Sequence, residues 1–218
     1  MKTICTILFC VFAFSSCMQD QMEFSCDPVI NEYISNHQEE FVQYTVIDLA
    51  ASEPLVQQPI FRSFTPEQKR DIWLQKIQFL LDNEPYTDAE YVHVEKLLDH
   101  LHENYFSKEN LVLEASLRSK FETEWINFAK SNLGWSDKNI AFVVFRVYTN
   151  HVQFDAEMNT LITIKQIALA DSEMSTCNCN TNMDYCPQGI ICKIGDCQMT
   201  TGCGWLWSES CDGRCSDR

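Results

Sequence analysis

Basic residues are in short supply. Sixteen lysines and arginines stand against 31 aspartates and glutamates, a formal charge of −15. That balance speaks against a nucleic-acid binder, which needs a basic face, and against simple attraction to anionic lipid. Long apolar runs are missing near the N-terminus: Ile4 to Phe14 has eleven residues, too few to span a bilayer as a stable helix. Catalytic signatures are missing too. The chain has no G-x-S-x-G, no phosphate loop and no dinucleotide fingerprint. His102-Glu103 opens like the zinc-protease run HExxH, but Phe106 stands where the second histidine belongs. These absences point to a non-enzyme with no cofactor, no metal and no nucleic-acid partner.

Glycine is scarce, and its distribution is uneven. Gly134 is alone among residues 1–176, whereas Gly189, Gly195, Gly202, Gly204 and Gly213 crowd the last forty or so. The same stretch holds Cys177, Cys179, Cys186, Cys192, Cys197, Cys203, Cys211 and Cys215. This abrupt change in composition marks a boundary. A segment so short buries too little apolar surface to fold by core packing alone, so it needs cross-links or metal. Structural zinc favours C-x2-4-C pairs, often with histidine, yet no histidine lies beyond His151. Iron–sulfur spacings are absent, and nothing basic flanks Cys177-x-Cys179 to activate a redox dithiol. Disulfides are the expectation, with about 105 possible pairings for eight cysteines.

The run Cys177-Asn178-Cys179, Asp184-Tyr185-Cys186-Pro187, Cys192 and Thr201-Gly202-Cys203-Gly204-Trp205 resembles fulvocin C, a small disulfide-rich bacteriocin of myxobacteria. The C-x-C-x6-C-x5-C opening has the same spacing; the intervals after Cys192 and the ending differ. The whole chain is similar to fulvocin C-related proteins of Bacteroidetes, which place a helical region before such a tail. The resemblance implies an antibacterial effector in residues 177–218.

The N-terminus reads as an export signal over residues 1–16, with Lys2 before the apolar run. Ser15-Ser16-Cys17 resembles a lipobox, which makes Cys17 the expected lipidation site and the cell envelope, or the medium after processing, the expected location. Such compartments are oxidising. With eight cysteines pairing in the tail, Cys26 is left either as an odd thiol or as the partner of an unlipidated Cys17.

Residues 17–170 read as all-helical. Asp27-Pro28 can open a helix with Ile30, Ile34, His37 and Phe41 on one face. Ala51 to Pro59 reads as an extended connection because of Pro54 and Pro59. Thr65-Pro66-Glu67-Gln68 and Thr87-Asp88-Ala89-Glu90 are capping boxes; the helices they open align Trp73, Ile77, Leu80 and Leu81, then Val94, Leu97, Leu98 and Leu101. Arg70 and Lys76 are expected in solvent, and His93 and His100 on a solvated face. A long helix is expected from Ser107 to Leu133 with a stripe of Leu113, Leu117, Phe121, Trp125 and Phe128, and a further one from Ile140 to Tyr148. Asp171 to Thr176 is the expected linker.

The fold class is thus mainly α, a helical N-terminal domain followed by a small disulfide-rich C-terminal module. In the module Lys193, Arg214 and Arg218 face Asp184, Asp196, Glu209, Asp212 and Asp217, two net negative charges, which disfavours a cationic pore former. Ile190, Ile191, Trp205, Leu206 and Trp207 form either a contact patch or the module's own small core. The expected function is an exported bacteriocin-like precursor, with a cell-surface target on related bacteria, a processing protease and a lipid-anchored membrane contact. The alternative is a surface lipoprotein whose tail binds without killing.

Overall fold

The computed structural model describes residues 23–167, 177–186 and 190–217, with backbone only for 160, 161–167, 197 and 217. The expected signal at 1–16, Cys17 and the linker 171–176 lie outside the described residues.

Among the described residues nine α-helices precede a β-hairpin. Local sequence sets most of the helix starts. The Asp27 carboxylate accepts from the amides of Val29 and Ile30 at 2.8 and 3.2 Å, opening α1 (Pro28–Phe41). Reciprocal boxes at Thr65/Gln68 and Thr87/Glu90 open α4 (Pro66–Asn83) and α5 (Asp88–His100). Each such cap is worth about 1 kcal/mol. Ser136 caps α8 (Asp137–Val144) through the Asn139 amide; the segment expected as a helix from Ile140 to Tyr148 is helical only to Val144, and Val147 and Tyr148 lie beyond its end.

Three helical expectations change. Ala51 to Pro59 is not an extended connection. It falls in α2 (Val46–Ala51), opened by a Thr45/Asp48 box, and α3 (Pro54–Ser63). Pro54 sits in the first turn, where a missing N–H costs nothing. Pro59 does interrupt the ladder, but it is buried together with Ile60 and Phe61, and tertiary packing outweighs propensity. The span 107–133 is two helices, α6 (Lys108–Leu113) and α7 (Ala115–Asn132), broken at Glu114, where φ is −101° and ψ 8°. Leu113, at the end of α6, and Leu117, in the first turn of α7, are 77% and 67% exposed, while Trp125 further along α7 stays buried. Lys76 is fully buried rather than solvated. Its Nζ donates to the Phe142 and Arg146 carbonyls, satisfying acceptors at the end of α8 that the helix leaves open.

The last helix, α9, is His151–Ile167. Beyond it, β1 (Ile190–Cys203) pairs antiparallel with β2 (Glu209–Asp217), with Ile190 opposite Asp217 and Cys203 opposite Glu209. An isolated bridge from Cys179 to Gly213 adds backbone to the outer side of β2. Disulfides join Cys179 to Cys192, Cys186 to Cys215 and Cys203 to Cys211. Disulfides of this kind form and persist in an oxidising environment.

Helices and hairpin share one core. A continuous buried cluster runs from Phe24 and Ile34 through Trp73, Leu80, Trp125 and Phe145 to Trp205, Leu206 and Trp207. The second buried cluster, around Cys177, Met199, Cys203 and Cys211, is small.

Candidate functional site: the seat of the C-terminal turn

Between β1 and β2 the chain makes a single 3-10 turn, Trp205–Trp207. The Cys203–Cys211 disulfide closes the loop that carries it. Gly204 starts the turn at φ 66° and ψ −151°, a region open almost only to glycine. A Cβ there would lie 2.9 Å from the Met183 carbonyl oxygen and 2.8 Å from Cβ of Glu209. Leu206 and Trp207 themselves have φ of 47° and 55°. Non-glycine residues hold that conformation at a cost of about 1–3 kcal/mol, so something in the surroundings must over-determine it.

Burial supplies that determination. Trp205, Leu206 and Trp207 are 0%, 0% and 1% exposed. The expected contact patch therefore divides. These three residues form neither a surface patch nor a private core of the module; they enter the core of the helical domain. Trp207 meets Phe61 edge-on at 5.3 Å and Trp73 at 6.1 Å. Its Nε1 donates to the Phe145 carbonyl at 3.0 Å. Trp205 meets Trp125 at 5.4 Å and Phe121 at 6.2 Å, both edge-on. Ile190 and Ile191 go elsewhere. They line a groove of ≈ 890 Å³ with Ile126, Ile140, Met158 and Tyr185, between α7, α8, α9 and the start of β1.

Polar groups fix the docking. Arg62, from α3, donates from Nε to the Thr201 carbonyl at 2.8 Å, from Nη2 to Sγ of Cys211 at 2.8 Å and from Nη1 to the Phe24 carbonyl at 2.7 Å. Burial lowers its pKa to about 10, so it keeps its charge. Gln58 donates to the Asn178 carbonyl at 3.3 Å. On the other side of the turn Arg146 donates to the Tyr185 carbonyl at 2.8 Å and to Asp184 at 3.3 Å, and its Nε lies 3.6 Å from Glu157. Burial opposes the charge on Arg146, but the Glu157 and Asp184 carboxylates outweigh it and its pKa is raised. Asp184, whose side chain is 1% exposed, also accepts from the amides of Asn180, Tyr185 and Gly204.

One part of the seat is under-partnered. On α7, which sets Phe121 and Trp125 against Trp205, Arg118 Nε and Nη1 and Glu122 Oε1 are buried with no hydrogen-bond partner among the described residues, as is Trp205 Nε1 in the turn. Burial, then the nearby Glu209 of the module, pushes the Glu122 carboxyl from 4.5 up to about 8. It therefore holds a proton at neutral pH.

The cysteines expected to pair within the tail account for three bridges. Cys177 is buried in the small cluster with Met199, Cys203 and Cys211, and the side chain of Cys197 lies outside the described residues. Cys26, expected as an odd thiol or as the partner of Cys17, is disulfide-bonded and packs against that same cluster. Sulfurs of Cys179, Cys186 and Cys215 lie within 4.8 Å of one another, but all three are committed to disulfides and so offer no thiolate to a metal.

The histidines differ from expectation. His93 is buried, not solvated, stacked on Trp125 at 4.3 Å and on Phe128 at 4.9 Å. Burial lowers its pKa to about 4. His100 stacks on Phe121 at 3.8 Å, and His102 pairs with Glu114 at 2.9 Å. The sequence pattern singles out Trp205, Leu206 and Trp207 as a patch or core but gives no such role to Arg62, Arg146, Asp184 or Glu122. For Arg62 one signal existed, a lone cation directly after Ile60-Phe61. Compared with known proteins, the chain matches no family model, no curated protein and no solved structure.

Proposed function

We propose that the protein is an exported, bacteriocin-like precursor whose disulfide-rich C-terminal module is the effector, held latent by the helical domain. The observation that carries this reading is the burial of Trp205, Leu206 and Trp207. A module with two net negative charges has little electrostatic attraction for anionic lipid. Its large amphipathic side chains are then its best means of gripping a receptor or a membrane interface. In the intact chain those side chains are out of reach. Activity requires that the turn leave its seat, and the polar stretch 171–176 is the proposed place for a processing protease to cut. Lipidation at Cys17, a membrane contact and a cell-surface target on related bacteria belong to the same proposal.

A second reading is favoured by the depth of the turn. Trp205 and Trp207 are among the largest fully buried side chains of the whole chain. The tail then serves as a structural element of a surface lipoprotein that binds without killing, and the groove beside Ile190 and Ile191 is its exposed feature. Growth inhibition separates the two. The full chain, carrying a specific protease site within 171–176, is tested on related bacteria intact, cut, and cut then dissociated. Inhibition only by the dissociated preparation supports the latent effector. No inhibition by any preparation leaves the binding lipoprotein.

A further inference from the structure

We infer that the helical domain is a receptor for the C-terminal module: it keeps hold of the module after the connection between them is cut, and it accepts the module of a second copy. The proposal deepens the latent-effector reading, but it stands on the seat rather than on killing.

The connection is short in sequence. Residues 168–176 link the end of α9 to Cys177, while the groups that touch across the seat come from α3, α4, α7 and the residues around Phe145. Trp207 is enclosed by Phe61 and Trp73 and donates to the Phe145 carbonyl. Arg62 reaches the Thr201 carbonyl and Cys211, and Arg146 reaches Asp184 and the Tyr185 carbonyl. Tryptophan and arginine in a desolvated centre are the side chains that dominate tight protein–protein interfaces. The charges complement one another as well, with both guanidiniums on the helical side and the buried Asp184 carboxylate on the module.

The seat is also specific. It takes a turn whose backbone is at positive φ, closed by Cys203–Cys211 and started by Gly204. Gly202, at φ 104°, lets the Arg62 side chain lie against the strand, because a Cβ there would come within 2.8 Å of Arg62 Nε. None of these contacts depends on the module belonging to the same chain. A linker contributes effective concentration, not contacts. A helical domain that has lost its own module therefore presents a vacant aromatic slot flanked by two arginines, and the fitting occupant is the same turn from another copy. For a cell making the protein, such a domain is a built-in neutraliser of freed module.

The test uses the full chain with a protease site placed within 171–176, in the natural sequence and with Cys26→Ser. The second background removes any covalent tie through Cys26, which is disulfide-bonded. After cutting without denaturant or reductant, the pieces are run on a sizing column at about 1 µM, where co-elution requires a Kd tighter than that concentration. Co-elution in one-to-one ratio is expected in both backgrounds. Arg62→Lys removes the forked donation and is expected to raise the apparent Kd at least about tenfold. For the second copy, cut protein labelled with heavy nitrogen is mixed with unlabelled cut protein, and mixed-isotope pairs are expected in native mass spectra within hours to days. Separation of the natural-sequence pieces, co-elution that disappears with Cys26→Ser, or the lasting absence of mixed pairs in that background each overturns the proposal. Retention without any growth inhibition by dissociated module sinks the antibacterial reading alone.

Discussion

Truncating Trp207 is expected to melt helices that lie more than sixty residues away in sequence. The indole is 1% exposed and packs edge-on against Phe61 and Trp73. A buried Trp→Ala change costs about 3–5 kcal/mol through lost transfer energy and the cavity left behind. The hydrogen bond to the Phe145 carbonyl adds little, because Arg146 Nη1 also donates to that oxygen at 2.7 Å. The acceptor is not orphaned, and the loss stays near the low end of the usual 0.5–1.5 kcal/mol. Backbone strain at φ 55° is the same for tryptophan and alanine and cancels. With a urea m-value of about 2 kcal/mol/M, a loss of about 4 kcal/mol moves the midpoint down by about 2 M. Trp207→Phe keeps much of the ring packing and is expected to cost about 1–2 kcal/mol. The assay is urea unfolding followed by far-ultraviolet circular dichroism, which sees the helices, and by tryptophan fluorescence. Both transitions should shift together. A helical transition unmoved by Trp207→Ala would refute the shared core and restore two independent units.

Glu122 gives a pH prediction. Its folded pKa of about 8 lies above its ordinary 4.5, so between these values the folded state holds a proton that the unfolded state has lost, and stability falls as pH rises through that window. Comparing urea midpoints at about pH 5 and pH 9, Glu122→Gln should remove an alkaline loss on the order of 3 kcal/mol; a wild-type slope unchanged by the substitution would exclude the burial argument. Digestion of the unreduced protein should yield peptides linking Cys179 to Cys192, Cys186 to Cys215 and Cys203 to Cys211, and a different pairing in most copies would remove the closure of the turn.

Much of the helical fold was legible because its signals are local. Asp27, Thr65/Gln68, Thr87/Glu90 and Ser136 act on amides two or three residues away. The failures are where distant contacts decide. Pro59 is a helix breaker by propensity, yet burial with Ile60 and Phe61 keeps it in a helix. The apolar period from Leu113 to Phe128 implies one buried stripe, but the helix breaks at Glu114 and only the middle of the stripe, around Trp125, packs inward, leaving Leu113, Leu117 and Phe128 exposed. Lys76 reads as a surface cation, and only the open carbonyls at the end of α8 explain its burial. The Trp205-Leu206-Trp207 turn was visible as apolar and glycine-flanked. Its destination was not, since Phe61, Trp73, Trp125 and Phe145 lie 60 to 146 positions earlier in the chain.

That separation bears on how the protein is made. A growing chain delivers Phe61 and Trp73 more than 130 residues before Trp207, and the loop that shapes the turn closes only once Cys203 and Cys211 are oxidised. Until both have happened, the aromatic centre lacks one of its largest buried side chains, and the helices around it are expected to be less stable, though formed. The chain is therefore expected to unfold more easily in a reducing environment than in an oxidising one. An early stop before residue 205 would take side chains out of the aromatic centre of the helices, so its cost reaches well beyond the hairpin it deletes.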